Sequence, residues 1–153
     1  MNKLCITLRP IKEEDCDLLF EWLNDSEVRQ MSFNTDPVLY DEHKEWFSKM
    51  LCSSLTHIFI ICVDEKPVGQ IRIYIEKNEG IISFSIDKNY RGCGYGSKAL
   101  RKIIDVVKKL GIKADKLIGK VKYENMFSRK AFHKAGYKSE ERQEYIEFYK
   151  EIL

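Results

Sequence analysis

The chain has 153 residues, 44% of them hydrophobic, with 26 basic against 24 acidic side chains and a formal net charge of +2. That length fits one domain, and the apolar fraction suffices to bury a core, which excludes a disordered chain. The near-balanced charge gives no pull toward nucleic acid or an anionic membrane, and 8 Gly and 3 Pro without a heptad run exclude collagen-like, low-complexity and coiled-coil readings.

The first element is a strand, in which Leu4, Ile6 and Leu8 alternate with Cys5 and Thr7 up to Pro10. The acidic stretch Glu13-Glu14-Asp15 then opens a helix carrying Leu18, Leu19, Trp22 and Leu23, since carboxylates in a first turn favour a helix N-terminus. Asn24-Asp25 and Asn34 to Pro37 read as loop. Leu39, His43, Trp46, Phe47, Met50 and Leu51 recur on one face of a second helix. The spacing then predicts three strands, Ile58 to Val63, Val68 to Glu76 and Ile81 to Ile86, joined by turns at Asp64 to Pro67 and Lys77 to Gly80. The glycine-rich run Arg91-Gly92-Cys93-Gly94-Tyr95-Gly96 leads into a helix with Leu100, Ile103, Ile104 and Val107 at helical spacing, ended by Gly111. A strand at Lys116 to Val121 follows, then a short helix capped by Asn125 and closed by Gly136. The last strands fall near Tyr137 to Glu141 and at Tyr145 to Ile152. The expected fold is α/β (α+β): a mixed, mostly antiparallel sheet of six to seven strands flanked by about four helices, in one domain over residues 1–153. The strand–helix–strand unit from Ile81 to Val121 requires one parallel pairing.

Five cysteines without a C-x-x-C pair indicate neither a disulfide framework nor a zinc knuckle, and reduced thiols suit the cytoplasm. The three histidines lack metal-ligand spacing, so no metal is expected. No secretory h-region is seen, and no stretch approaches the ~18 apolar residues that cross a bilayer.

The glycine run is the most informative stretch. Glycines permit positive φ and close approach of a ligand to the backbone, and the following helix start presents unpaired N–H groups with a partial positive charge. Together they make an anion site suited to a phosphate or diphosphate, with Arg91 and Lys98 adding charge; the alternative is a tight turn without a ligand. The run fails the Walker A spacing, because Lys98 follows Ser97, and its third glycine comes one residue early for a dinucleotide fingerprint.

Arg91-Gly92-Cys93-Gly94-Tyr95-Gly96 after a strand resembles the [QR]-x-x-G-x-[GA] loop of the GNAT superfamily of acetyl-CoA-dependent N-acetyltransferases. Val121 to Asn125, Ser128, Ala131, Phe132 and Gly136-Tyr137 are similar to its second motif, and the inferred element order is similar to the GNAT acyl-CoA N-acyltransferase fold over nearly the whole chain. The resemblance implies acetyl-CoA as co-substrate. Phe84, Ser85 and Ile86 would pair with its pantetheine arm as an extra strand does, with the Ile86 N–H as donor to the thioester oxygen. Gly92, Cys93, Gly94, Tyr95, Gly96 and Ser97, with Arg91, would hold the diphosphate. Asn125 would meet the pantetheine arm, Arg129 or Lys130 the phosphoadenosine end, and Phe132 would line the cofactor site.

Phe132 stands where many relatives carry a tyrosine that protonates the departing thiolate. Three readings stay open: the thiolate leaves unprotonated in a positive field, Ser128 donates directly or through water, or the protein only binds. Glu76 and Glu124 are the candidate bases, with Tyr74 sharing a strand face with Glu76 and Arg72; each reads equally as a solvated surface residue. His43, Trp22 and Trp46 read as packed core. Trp22-x-Asn24-x-x-x-Val28-Arg29 and His43-x-x-Trp46-Phe47 are similar to the branch acting on nucleotide-linked amino sugars (the pseudaminic-acid pathway) and, less closely, to ribosomal-protein N-terminal acetyltransferases. That resemblance implies Asn24 and Arg29, with Tyr74, as acceptor-side residues. The implied partner is a small-molecule amine, with no nucleic acid and no membrane, and with room for a homodimer. A peptide amine is the runner-up acceptor, and a catalytically idle acyl-CoA-binding module is the alternative of another class.

Overall fold

The computed structural model of the chain describes residues 5–152. Seven strands form one sheet: β1 (Ile6–Pro10), β2 (Thr56–Val63), β3 (Lys66–Glu76), β4 (Glu79–Ile86), β5 (Lys116–Val121), β6 (Lys138–Glu141) and β7 (Ile146–Glu151). Their order across the sheet is β1-β2-β3-β4-β5-β7-β6, and every pairing is antiparallel except that of β4 with β5. The helices are α1 (Cys16–Leu23), α2 (Ser26–Met31), α3 (Tyr40–Leu51), α4 (Tyr95–Leu110) and α5 (Met126–Lys134). This is the expected mixed, mostly antiparallel sheet, with five helices rather than about four. Leu4, placed in the first strand by its alternation, lies outside the described residues.

The added helix is α2. Asn24-Asp25 reads as loop in the sequence, but the Asp25 carboxylate accepts from the Glu27 and Val28 N–H groups and so starts a new helix immediately after α1. Glu13–Asp15 form one 3-10 turn ahead of α1, fixed by the Arg9 guanidinium, which donates twice to Asp15 at 2.7 and 2.9 Å.

Alternation along β2 divides the core. Ile58, Ile60 and Cys62 pack with Leu19, Trp22 and Phe47 under α1 and α3, whereas Phe59, Ile61 and Val63 join the larger cluster under α4 and α5. A strand buried on both faces reads as an unbroken apolar run, which is what Ile58 to Val63 shows.

The feature that positions the site is the short reach of the parallel pair. β4 and β5 are in register from Glu79↔Lys116 only to Ile82↔Gly119, although β4 continues to Ile86 and β5 to Val121. Beyond Ile82 the two strands diverge. Beneath the divergence lies an aromatic pad in which the Phe132 ring stands 5.8 Å from Phe84 and is stacked at 5.0 Å on Phe148. The ring presses against the Gly119 backbone so closely that a Cβ there would sit 2.2 Å from Phe132 Cζ. Gly119→Ala therefore forces Phe132 out of its place. We expect a loss of about 1–3 kcal/mol, measured by urea denaturation, together with a lower melting temperature. Unchanged stability would show that this packing does not hold the strands apart.

Candidate active site

The divergence of β4 and β5 opens a cleft of about 600 Å³, lined by residues 82–86, by Val121, Glu124 to Ser128 and Phe132 on one wall, and by α2 and its following loop on the other. The backbone of β4 is exposed to it. Asp87 N–H donates to Val68 O at 2.7 Å, toward β3, so by the alternation of an antiparallel ladder the N–H and C=O groups of Ile86 and Phe84 face away from β3 and into the cleft. No strand meets them there. The Ile86 carbonyl is taken by Arg91 Nε at 3.1 Å, which leaves the Ile86 N–H as the donor on that residue.

The glycine loop follows the end of β4, with Arg91 in the cleft lining and Gly92 to Ser97 just beyond it. Gly92 and Gly94 have φ of 81° and 82°, a backbone state that non-glycine residues seldom adopt. Gly94 is the N-cap of α4 and offers no side chain to it. Since Lys98 N–H donates to Gly94 O, the N–H groups of Tyr95, Gly96 and Ser97 have no acceptor within the helix. They point outward at the positive end of a 16-residue helix. A Cβ built at Gly92 would meet nothing within 4 Å, and one at Gly94 would find only Lys134 Nζ, at 3.8 Å. An open backbone nest beside a lysine ammonium fits a diphosphate, and an unpaired strand edge fits the amide groups of a pantetheine arm. These two seats would hold coenzyme A.

Each residue singled out by sequence now has a place. Phe84, Ser85, Ile86, Glu124, Asn125, Ser128 and Phe132 line the cleft together. Asn125 caps α5 by accepting from Ser128 N–H, which leaves its side-chain N–H groups for other partners. Ser128 is buried in the first turn of α5, and among the described residues its hydroxyl makes no hydrogen bond. The exposed Cys93 sits at the loop tip, and the half-buried Tyr95 ring packs against the main core instead of the cleft.

Other residues are placed differently. Arg91, read as a diphosphate ligand, is committed elsewhere: besides Ile86 O it donates to Asp25 at 2.8 Å and to Glu27. Its work is to tie α2 to the glycine loop. Asn24 lies off the cleft and accepts from Val38 N–H, while Arg29 lines the cleft but spends its donors on Leu23 O at 2.6 Å, Asn34 O at 3.0 Å and Asp36 O at 3.2 Å. Tyr74 and Glu76 lie beyond the closed end of the cleft, toward the β3–β4 hairpin. Arg129 donates to Tyr123 O, and neither it nor Lys130 reaches the cleft. Nothing in the sequence singles out Lys134, which lies forty positions along the chain from Gly94; only the docking of α5 beside α4 brings it near.

His43 is packed, as expected. Its Nε2 lies 2.8 Å from Cys16 O, and its buried Nδ1 has no partner among the described residues. Trp22 is core, with its indole N–H donating to Asp87 at 2.9 Å, which anchors α1 to the start of the loop.

Among the described residues no cluster of His, Cys, Asp and Glu could hold a metal, and no helix is long and apolar enough to cross a membrane. The model of the GNAT acetyltransferase domain matches residues 6–138, and the chain belongs to that family. It is an acetyltransferase of the GNAT class. No curated protein sequence matches it. Among solved structures it is similar to an aminoglycoside acetyltransferase in complex with coenzyme A (TM-score 0.82, 17% identity, 96% of this chain and 95% of that one). It is similar also to spermidine N-acetyltransferase from Vibrio cholerae with coenzyme A and spermine (0.83, 16%, 95% and 95%). A third is the ribosomal L7/L12 α-N-protein acetyltransferase RimL with coenzyme A (0.81, 13%, 95% and 93%).

Two predictions follow from this geometry. Lys134→Met should weaken coenzyme A binding about tenfold by calorimetry, the loss of one charge-assisted contact to a phosphate; the same change should leave the affinity for a pantetheine fragment unaltered. The second concerns acid. Burial alone would raise the Asp25 carboxyl, but the Arg91 guanidinium and the N–H groups of Val28 and Glu27 outweigh it and hold it below its ordinary value. Asp15, beside Arg9, is held low in the same way. A depressed folded value stabilises fully above the unfolded pKa of about 3.9, and that contribution is lost as pH falls through the folded value. Asp25→Asn should cost about 1–2 kcal/mol at pH 7 and should flatten the loss of stability as pH falls below the unfolded carboxylate value of about 3.9. An unchanged acid profile would contradict the clamp.

Proposed function

We propose that this protein acetylates the primary amine of an amino sugar, with nucleotide-linked sugars foremost, by direct attack of the amine on the thioester. The carrying observation is that the unpaired β4 edge, which lines the cleft, adjoins an uncapped α4 N-terminus, whose Gly96 packs on the Phe84 ring. Acetyl-CoA supplies an activated acetyl group. The chain's own residues then have distinct tasks. The nest from Gly92 to Ser97, with Lys134, holds the diphosphate end. The edge of β4 aligns the arm. The Ile86 N–H is the donor to the carbonyl oxygen, where negative charge develops, and one fixed donor of this kind contributes roughly 3 kcal/mol. Arg91 supports it by covering the Ile86 carbonyl, whose lone pairs would otherwise repel that charge.

Ser128 passes a proton to the leaving thiolate in this reading and regains one from solvent, because its free hydroxyl lies in the same wall as Phe132, one turn before it. Glu124, exposed at the cleft mouth, is the base that takes the proton from the amine, directly or through water. Five free cysteines support a cytoplasmic location, and the single sheet supports one domain over the chain. A peptide amine is the second reading, favoured by exposed Phe33, Met126 and Phe127 at the cleft.

Acetyl-CoA is mixed with the protein, and thiol release is followed with nucleotide amino sugars, peptides and polyamines in parallel. Release with amino sugars is expected. Release with peptides alone would replace the sugar reading, and tight binding without any acceptor-dependent release would make the protein a binding module. Ser128→Ala should lower kcat by about 10²-fold, whereas Phe132→Tyr should lower stability, because its added hydroxyl would run into the Gly119 backbone. Full activity in Ser128→Ala would show that the thiolate leaves unprotonated.

A further inference from the structure

The cleft has an uneven charge. Its lining includes Arg29, Arg72, Arg91 and Lys120, against two carboxylates, Glu27 and Glu124. Arg91 and Glu27 neutralise each other. The remaining three cations face a single carboxylate, and among the described residues none of the three lies within 4.0 Å of any acidic group.

Arg72 is the most organised of them. It stands on β3 opposite Ser83, one residue past Ile82, where the β4–β5 pairing ends. Its Nε donates to Ser83 Oγ at 2.7 Å, and its guanidinium lies over the Trp46 ring at 5.7 Å from the centroid. Those contacts fix the plane of the group. Its two terminal nitrogens make no hydrogen bond among the described residues, and the side chain lines the cleft. A fixed fork of this kind matches two oxygens of a phosphate or carboxylate. Ser83, already accepting from Arg72, has its own O–H to donate to the same oxygens. Burial, and the charge of nearby Arg29, press the Arg72 pKa down, so an unpaired guanidinium is held there at a cost that an anion would relieve.

This place differs from the diphosphate nest. Ser83 lies three residues before the end of β4, roughly 10 Å along the strand, and Arg72 rests on Trp46, on the sheet face covered by α1 and α3. We propose that Arg72, backed by Arg29, is an anion seat in the acceptor site, and that the acetylated amine belongs to a small molecule which also carries a phosphate or carboxylate. The inference rests on acetyl transfer in the same cleft. It sets this protein apart from a polyamine acceptor, whose positive charges Arg72, Arg29 and Lys120 would repel.

Four probes share an amine and differ in charge: glucosamine, glucosamine 6-phosphate, muramic acid and spermidine. Uptake of acetyl-CoA is measured first by calorimetry. Its absence would overturn the transfer reading itself, and this inference with it, before any acceptor is added. With acetyl-CoA bound, the phosphate or the carboxylate probe should bind and be acetylated at least tenfold better than glucosamine, and spermidine should be the poorest. The better of the two anionic probes identifies which acid the seat takes. In Arg72→Met the preference over glucosamine should collapse toward one, mainly through KM, and Arg72→Lys should restore part of it. Equal use of all four probes, a preference for spermidine, failure of both anionic probes to bind, or an Arg72→Met protein of wild-type melting temperature that keeps the preference would each overturn the seat while leaving acetyl transfer intact.

Discussion

A β-strand with one side unpaired is an expensive object inside a protein, because each backbone N–H and C=O that leaves water needs a partner. From Ser83 to Ile86 the fourth strand of this sheet has β3 on one side and open cleft on the other. The Phe132 ring, seated where Gly119 has no side chain, occupies the space through which β5 would otherwise close. The strand edge is therefore kept available, and the glycine-loop nest, the α5 wall and the α2 wall are all arranged around it. A ligand shaped like a short peptide with an anion at one end satisfies both the edge and the nest at once.

Arg91 connects the two halves of this arrangement. Its guanidinium reaches the Ile86 carbonyl, Asp25 and Glu27, so the strand edge, the loop and the acceptor-side helix share one charged group. Side-chain exposures of 21% for Arg91 and 18% for Asp25 place that pair where it is only weakly screened. The α2 wall of the cleft is thereby fastened directly to the end of the β4 backbone, so the two sides of the cleft are held in a fixed relation.

Much of this was legible from sequence, and the limits have physical causes. Alternation and turn residues located the strands, since a period of two is a local property; only end residues differ, as at β2, which begins at Thr56. The strand–glycine–helix order exposed the glycine turn and the uncapped start of α4 for the same reason. Long-range pairing was not legible. Arg91 meets Asp25 across 66 positions, so a basic residue beside a phosphate loop read as a phosphate ligand. Asp25 read as loop because its capping role depends on the two N–H groups that follow it. Strand alternation correctly put Arg72, Tyr74 and Glu76 on one face, but nothing local tells where β4 and β5 part, and only Arg72 falls within the cleft. The antiparallel neighbours of Tyr74 and Glu76 are Ile81 and Glu79, which belong to the closed part of the sheet.

The most direct test of the central claim is an amide-resolved NMR titration of the intact protein with coenzyme A. The account predicts that the largest shifts fall on the backbone N–H groups of Phe84 and Ile86 and on those of Gly92 to Ser97, saturating together with one affinity. Shifts confined to other segments, or no shifts at millimolar coenzyme A, would contradict it.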